Sequence, residues 1–234
     1  MRPAVLRTRS SLVSMLTAVV RTDRALMSSG DVFADIAGRY DRLNRFLSLG
    51  RDQAWRRTAI DRLPGGRILD LGAGTGAANE VFGDREVVAL DPSPQMLALN
   101  DSSHRLVAAG EALPLANESF DAVFSAYVFR NLDSVDVTLN EIHRVLRPGG
   151  MVGIVDLGRP EGSVQRSVHR AGTAVVLPIA GMTIGARDEY TYLHRTLDKH
   201  PPPETLLGSS RLRLVDTWRL GPLGFVWAAI LVKE

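Results

Sequence analysis

The chain has 234 residues, of which 45% are hydrophobic and 23% charged, and its net charge is +2. This length and composition are typical of one large globular domain with a sizeable core, and so small a net charge gives no reason to expect a nucleic-acid partner. The sequence contains no cysteine and five histidines, so disulfides, thiolate metal sites and cysteine nucleophiles are excluded and no metal site is expected.

The first 30 residues differ in composition from the rest of the chain. They contain five arginines and several serines but a single acid, Asp23. Three interpretations of this basic extension stay open: a transit peptide, a basic helix on an anionic membrane, or a mostly disordered segment ahead of a true start near Met27. No apolar run reaches the roughly 18 residues that cross a bilayer. We expect a cytoplasmic protein whose only membrane contact would be peripheral, at the inner membrane surface.

The main domain is predicted to begin at residue 31, with two helices in the segment 31–66 before the first strand. Apolar residues recur every three or four positions from Val32 to Tyr40, and a second helix is predicted over residues 53–63, where a Pro-Gly-Gly sequence stops it. Both helices are expected to lie across the ligand edge of the sheet. Tyr40 then faces either the pocket or solvent, or packs between helices.

The chain is organised around the sequence RILDLGAGTG at residues 67–76. The short apolar run predicts a buried parallel strand that contains one acid, Asp70, and the three alternating glycines predict a tight turn on which a ligand approaches the backbone. A helix is expected from about residue 77, so that its first N–H groups face the ligand. The glycine spacing does not match the dinucleotide fingerprint G-x-G-x-x-G.

A second strand is predicted over residues 87–90, and it ends at Asp91. In the dinucleotide fold an acid at the tip of the second strand binds both hydroxyls of a ribose, which predicts an adenosine-type ligand here. A short helix over residues 93–100 is expected next, with Met96 and Leu99 facing inward. After a third strand, over residues 105–109, Glu111 either meets an adenine amino group or lies beside backbone groups that make this contact.

A fourth strand is predicted over residues 120–126 and is followed by Arg130 and Asn131. Both residues come at the carboxyl edge of the sheet, where open α/β sheets bind their ligands. Arg130 is there either a cation that faces the ligand or an ordinary surface cation. The next helix has an apolar face that runs through Leu146 and is ended by Arg-Pro-Gly-Gly, and a fifth strand begins at Met151 and has Asp156 at its tip.

The segment 158–203 interrupts the alternation of strands and helices. Its apolar stretch, residues 171–185, either roofs an apolar substrate or forms a dimer face. Two closing strands, over residues 212–218 and 225–232, flank a short Gly-Pro turn and predict an antiparallel hairpin. The expected fold is therefore α/β: a doubly wound, mainly parallel seven-stranded sheet with an antiparallel C-terminal hairpin and a helical cap.

With these elements in place, the chain resembles the class I S-adenosylmethionine-dependent methyltransferases and, more narrowly, the ubiquinone/menaquinone biosynthesis C-methyltransferase family. The resemblance covers about residues 32–203. LDLGAGTG and RVLRPGG indicate only the superfamily, whereas the other motifs are specific in combination. The motifs are VFADIAGRYDRLNRFLSLG (32–50), LDLGAGTG (69–76), GEALPLANESFDAV (110–123), FRNL (129–132), RVLRPGG (144–150), ARDEYTYL (186–193) and KHPPPETL (199–206).

The resemblance implies S-adenosylmethionine as cofactor, S-adenosylhomocysteine as its product, and a polyprenylated quinol that is methylated on a ring carbon. It leaves a homodimer open. The ribose acid and the glycine turn identified above are included in the cofactor site that it implies. The expected cofactor residues are Asp70, Gly72, Gly74, Thr75, Gly76, Asp91, Pro92, Met96, Ala109, Gly110, Glu111 and Ala126.

Three residues are expected to act in catalysis. Arg130 would stabilise the quinolate electrostatically, and not as a base, because an arginine stays charged in proteins. Asn131 would orient a hydroxyl or a water, and Tyr40 would close the pocket.

The sequence departs from the family pattern at three positions. Ala77 replaces an acid that commonly follows the glycine turn, and only Glu80, one helical turn onward, offers a substitute. Ala126 stands where the family has a serine, with Ser125 beside it, and the family's LRN is FRN here.

Two other functions stay open. One is methylation of a different small molecule, such as a phenol, an amine or a sterol. The other is a protein that binds S-adenosylmethionine without catalysis, as a partner in a quinone-synthesis complex. This alternative stays open because Ala77 replaces the acid that commonly follows the glycine turn. A nucleotide-linked dehydrogenase is disfavoured by the glycine spacing and by the terminal hairpin.

Overall fold

The computed structural model describes residues 48, 50–160, 162–184, 197, 201–208 and 210–234, and for residues 175–184 it describes the backbone alone. The predicted basic extension and the predicted helix that ends at Tyr40 lie outside the described residues, and so does most of the segment 185–200. The predicted domain boundary at residue 31 therefore stays a prediction.

The described part of the chain forms one seven-stranded sheet. Its strands follow the order β3-β2-β1-β4-β5-β7-β6. The five strands from β3 to β5 pair in parallel, whereas β7 runs antiparallel to both β5 and β6. This confirms the predicted mainly parallel sheet with its C-terminal hairpin. The strands are β1 (Arg67–Leu71), β2 (Glu86–Asp91), β3 (His104–Val107), β4 (Phe120–Ala126), β5 (Leu146–Leu157), β6 (Arg213–Leu220) and β7 (Val226–Val232).

Helices cover both faces of this sheet, as a doubly wound fold requires. Leu69 and Leu71 point to a core cluster that includes Leu139 and Ile142, whereas Ile68, directly before Leu69, points to a second cluster with Trp55 and Ile60 on the other face. Alternate residues of one strand thus enter two cores, which is why the strands are almost continuously apolar. The helices are α1 (Asp52–Ile60), α2 (Asn79–Phe82), α3 (Pro94–Leu97), α4 (Val135–Val145), α5 (Ser163–Ile184) and α6 (Pro203–Leu207).

Two predicted helices are shorter than expected. The helix after the glycine turn does not begin at residue 77: a series of turns leads into α2, which has only four residues. The helix α3 is capped by Ser93, whose hydroxyl accepts a 3.3 Å hydrogen bond from the N–H of Met96, and it ends at Leu97. Leu99 therefore does not face inward, and 53% of it is exposed.

The fifth strand begins earlier than predicted. Leu146 is already extended and pairs with Phe120, and the pairing shifts register before Ala122 meets Met151. The Arg-Pro-Gly-Gly sequence therefore lies within β5 instead of between helix and strand. Its glycines exchange backbone hydrogen bonds of 2.8 and 2.9 Å with Lys233, which extends the edge toward the chain end.

The helix α5 continues across Pro178. It lies in the segment 158–203, and the covering of a substrate by this segment stays a prediction. None of the helices in the described part of the chain is long and apolar enough to span a membrane.

Candidate active site

A cavity of about 280 Å³ lies at the carboxyl ends of β1, β2 and β4. This is the edge at which open α/β sheets bind ligands. Ten of the twelve predicted cofactor residues line it, and so does Asn131. The ten are Gly72, Gly74, Thr75, Asp91, Pro92, Met96, Ala109, Gly110, Glu111 and Ala126.

The remaining predicted residues take other positions. Asp70 and Gly76 lie behind the turn and do not line the cavity, and neither does Arg130. Tyr40 lies outside the described residues. Among the residues that the structure describes, no group of three histidines or acids is placed to hold a metal ion.

The glycine turn is tied to the second strand by its own backbone. The N–H groups of Gly72 and Ala73 both donate to the carbonyl of Leu90, at 2.7 and 2.9 Å. Gly72 has a φ of +73°, and a Cβ there would overlap a methyl group of Val128. Glycine is therefore required at this position both by the backbone conformation and by the close approach of the segment after β4.

Asp91, at the tip of β2, also connects the second strand to the glycine turn, through its side chain. Its Oδ2 accepts from the N–H of Gly74 and its Oδ1 from the N–H of Ser93, both at 2.9 Å. Burial raises the pKa of this carboxyl, and the two N–H donors partly oppose that effect. Each carboxylate oxygen can accept a second hydrogen bond, so Asp91 can still receive hydroxyl donors from the cavity.

A buried amide network supports the turn from below. Asn100, only 1% exposed, donates from Nδ2 to the carbonyl of Gly74 at 3.1 Å. Its Oδ1 accepts from Asn79 at 3.1 Å and from the N–H of Ser102 at 2.9 Å. A Cβ at Gly76, where φ is +87°, would collide with Asn79 and Asn100. Gly76 thus serves this network and not the cavity directly.

Glu111 closes the side of the cavity beyond the third strand. Its Oε1 accepts from the N–H groups of Asp133 and Ser134, at 2.9 and 3.3 Å. The carboxylate therefore bridges to the start of α4. This leaves the backbone around Ala109 and Gly110 as the other part of this wall.

The chain turns sharply after the fourth strand. Tyr127 has a φ of +65°, a left-handed conformation that is costly for an aromatic residue, and it is buried against the cavity. Its N–H donates to Val155 at 2.8 Å, and its carbonyl accepts from Nδ2 of Asn131 at 3.3 Å. This turn directs Val128 toward the glycine turn and places Asn131 in the cavity wall.

Arg130 forms a buried ion pair with Asp156, at the end of β5. The distance from Nη1 to Oδ1 is 2.9 Å, and the two side chains are 8% and 1% exposed. The guanidinium is thus held behind the cavity wall. Arg130 is not a surface cation, which was one of the two interpretations of the sequence.

Two further titratable side chains, Asp70 on β1 and Arg56 on α1, influence each other electrostatically without a direct hydrogen bond. Burial is the main cause that raises the pKa of Asp70 to about 7; Arg56 lowers this pKa and Asp91 raises it further. Arg56, on α1, lines the cavity, and its guanidinium lies 5.0 Å from the centre of the Tyr127 ring.

Several residues that line the cavity were not predicted from the sequence. Arg56 stands three and four positions before the buried Ala59 and Ile60, so the helical spacing was the available signal, although the neighbouring Arg57 is exposed. Tyr127 and Val128 directly follow a predicted strand, and their position at the ligand edge was the available signal. The residues of the lining not named as site residues are Arg56, Leu71, Ala73, Ala77, Leu90, Ser93, Tyr127, Val128, Leu132 and Asp133.

Comparison with known families gives one match over most of the chain. The model of the ubiE/COQ5 methyltransferase family matches residues 20–211. A demethylmenaquinone methyltransferase of Thermus thermophilus is 38% identical over 192 residues, which cover 75% of this chain and 87% of the relative. A ubiquinone/menaquinone biosynthesis C-methyltransferase of Shewanella frigidimarina is 32% identical over 206 residues, which cover 80% and 82%.

Solved structures share the fold at low sequence identity. A SAM-dependent methyltransferase of Thermotoga maritima superposes with a TM-score of 0.63 at 19% identity, covering 88% of this chain and 99% of its own. A SAM-dependent methyltransferase of Aquifex aeolicus gives 0.53 at 17% identity, covering 83% and 98%. At this identity the likeness supports the Rossmann-like methyltransferase fold alone.

Proposed function

The chain belongs to the ubiE/COQ5 methyltransferase family and is an S-adenosylmethionine-dependent methyltransferase, and we propose that its acceptor is a polyprenylated quinol, methylated on a ring carbon. The observation that supports the cofactor part of this proposal is the cavity over the glycine turn, whose wall contains the Asp91 carboxylate. The names of the relatives supply the acceptor class, because one is a demethylmenaquinone methyltransferase and another a ubiquinone/menaquinone biosynthesis C-methyltransferase.

The residues present fit an adenosyl ligand. Gly74, at a φ of +54°, and Met96 both line the cavity, and a Cβ at Gly74 would stand only 3.3 Å from the Met96 methyl group. Asp91 offers two carboxylate oxygens to ribose hydroxyls. The backbone at Ala109 and Gly110 also lines the cavity, and we propose that it contacts the adenine.

When bound, S-adenosylmethionine supplies a methyl group already activated by its sulfonium, so alignment for in-line displacement is the main requirement on the protein. An acceptor ring carbon becomes nucleophilic once a neighbouring quinol hydroxyl has lost its proton. The chain is therefore expected to stabilise the resulting negative charge. Asn131, in the cavity wall, is proposed to orient the hydroxyl or a water, and Tyr40 is proposed to close the pocket.

Arg130 is proposed as the source of positive charge for the quinolate. Because Asp156 holds its guanidinium behind the wall, we propose that it acts as a fixed charge beside Asn131 and not as a group that swings into the cavity. A preorganised charge of this kind needs no reorganisation during the reaction.

The polyprenyl tail is proposed to lie against the cap that begins with α5, and to bring the enzyme to a membrane surface. The described first half of this helix is highly exposed, including Val164 at 72% and Val168 at 57%, and α5 contains arginines but no acid. Apolar and basic groups together suit an anionic lipid surface. If the basic extension aids this contact, deletion of residues 1–29 weakens vesicle binding. If the cap is instead a dimer face, the mass in solution doubles and vesicle binding is lost on dimerisation.

The acceptor is tested with methyl-labelled S-adenosylmethionine under reducing conditions. The panel contains demethylmenaquinol, a polyprenyl benzoquinol and a simple phenol. We expect label on a ring carbon of one or both prenylated quinols and none on the phenol. Label on the phenol alone would indicate another small-molecule methyltransferase. Binding without any transfer would indicate a non-catalytic partner.

A further inference from the structure

Arg56 is a buried cation in the wall of the cavity, and it belongs to none of the sequence motifs described above. It is 6% exposed and belongs to α1, the helix that precedes the glycine turn. Among the described residues that line the cavity it is the one cation, against the acids Asp91, Glu111 and Asp133. A buried arginine needs acceptors for its five N–H donors.

The described part of the chain supplies Arg56 with no such acceptor. Its Nε is fully buried without a hydrogen-bond partner, and the guanidinium makes no ion pair with a carboxylate there. Its guanidinium lies 5.0 Å from the centre of the Tyr127 ring, and it attracts the buried Asp70 carboxylate, whose pKa it lowers, without a hydrogen bond between them. Leaving a buried charged donor unsatisfied is costly, so the geometry calls for an acceptor that enters the cavity as part of a ligand.

The order of the strands indicates which part of a ligand reaches Arg56. Across the sheet edge the order is β3, β2, β1 and β4. Ala109 and Gly110 follow β3, Asp91 ends β2, the glycine turn follows β1, and Tyr127, beneath Arg56, follows β4. An adenosyl ligand whose adenine and ribose lie over β3 and β2 therefore extends its amino-acid end over β1 toward β4.

We propose that Arg56 binds the α-carboxylate of the methionyl group of S-adenosylmethionine and of S-adenosylhomocysteine. This inference rests on the proposed adenosyl site. The planar guanidinium fork matches a carboxylate in a bidentate geometry. Tyr127 holds the guanidinium plane through its ring face. Its left-handed turn at φ +65° places that ring, which gives the backbone strain at this position a function in cofactor binding.

Three ligands that differ only in the amino-acid part test the assignment by calorimetry. S-adenosylhomocysteine carries both the carboxylate and the ammonium, decarboxylated S-adenosylmethionine lacks the carboxylate, and 5′-methylthioadenosine lacks both. In Arg56→Gln we expect affinity for S-adenosylhomocysteine to fall by about 10- to 150-fold, the range for a charge-assisted hydrogen bond. Affinity for the other two ligands is expected to change by less than about 3-fold.

The matched control is Arg57→Gln, because Arg57 is the exposed neighbour on the same helix. Arg56→Lys, which keeps the charge and loses the fork, should fall between wild type and Arg56→Gln. It also keeps the test usable if the glutamine variant fails to fold.

Two results would overturn the assignment. An equal loss of affinity for all three ligands would mean that Arg56 only supports the fold of the cavity. Unchanged affinity for S-adenosylhomocysteine together with slower methyl transfer would mean that Arg56 acts on the acceptor. Failure of the wild-type protein to bind any of the three ligands would instead remove the adenosyl site itself.

Discussion

The carboxylate of Asp91 accepts a 2.9 Å hydrogen bond from the backbone N–H of Gly74, 17 positions earlier in the chain. This bond ties the tip of the second strand to the turn after the first. The same carboxylate faces the cavity. Asp91 therefore both fixes the shape of the glycine turn and offers acceptors to a ligand that lies on it.

Asp91→Asn is expected to weaken S-adenosylhomocysteine binding by about 10- to 150-fold, because the amide replaces one acceptor oxygen by a donor. The NH2 group of the asparagine would also face the backbone N–H of Gly74 or Ser93, so that two donors oppose each other. Isothermal titration calorimetry measures the change. The control is Glu86→Gln, since Glu86 lies at the exposed start of the same strand. Affinities within about 2-fold of wild type for Asp91→Asn would remove Asp91 from the proposed site.

Gly72→Ala is expected to reduce the free energy of unfolding by about 1–3 kcal/mol, because the residue has a φ of +73° and its Cβ would overlap Val128. Val128→Ala added to this variant removes the overlap but not the backbone strain. It should recover part of the loss, which chemical denaturation of both single variants and the double variant measures. If the losses of the two single variants simply add, the close approach of Val128 to the turn is not the cause.

Variants of the Arg130–Asp156 pair distinguish an effect of the Arg130 charge on turnover from an effect of the pair on stability. Arg130→Ala alone is expected to cost about 3–5 kcal/mol of stability, because it leaves a buried carboxylate without its partner. Arg130→Met combined with Asp156→Leu replaces the pair by apolar groups of similar size, which is often neutral for stability. If the Arg130 charge stabilises the quinolate, this double variant should keep its melting temperature and lose about a hundredfold in turnover. Wild-type turnover in a folded double variant would leave the pair a purely structural feature.

Asp70 should make the stability of the ligand-free protein depend on pH. Burial is the main cause that raises its pKa to about 7, so the folded protein keeps a proton between about pH 4 and pH 7 where the unfolded chain has lost it. The free energy of unfolding therefore falls as pH rises through this window, by at most about 4 kcal/mol from this group.

Asp70→Asn removes this contribution. Chemical denaturation at pH 5 and pH 8 should show the variant gaining stability relative to wild type at pH 8. A constant difference between the two proteins at both pH values would contradict the raised pKa.

The parts of the fold that depend on short-range pattern could be predicted from the sequence. The apolar run before the glycine turn and the run that ends at Asp91 predicted two neighbouring strands, and the structure pairs them in parallel. Because the carboxyl ends of such strands meet at one edge, the predicted position of the site followed from the topology.

Contacts between distant segments could not be predicted in the same way. Asn100 has no local signal for burial, since asparagine is usually exposed, yet it is 1% exposed and holds the carbonyl of Gly74. Arg130 and Asp156 were each placed at the ligand edge, after strands that proved to be neighbours, but their pairing depends on the sharp turn at Tyr127. Because aromatic residues rarely adopt a positive φ, the sequence does not predict the left-handed conformation of Tyr127.

The central claim is that an adenosyl ligand lies on the glycine turn with its ribose at Asp91. A crystal structure with S-adenosylhomocysteine tests this most directly. We predict ligand density in the cavity, with the ribose hydroxyls within hydrogen-bond distance of the Asp91 carboxylate and the adenine beside Ala109 and Gly110. A saturated crystal in which this cavity stays empty, or in which the adenosyl group lies elsewhere on the protein, would contradict the claim.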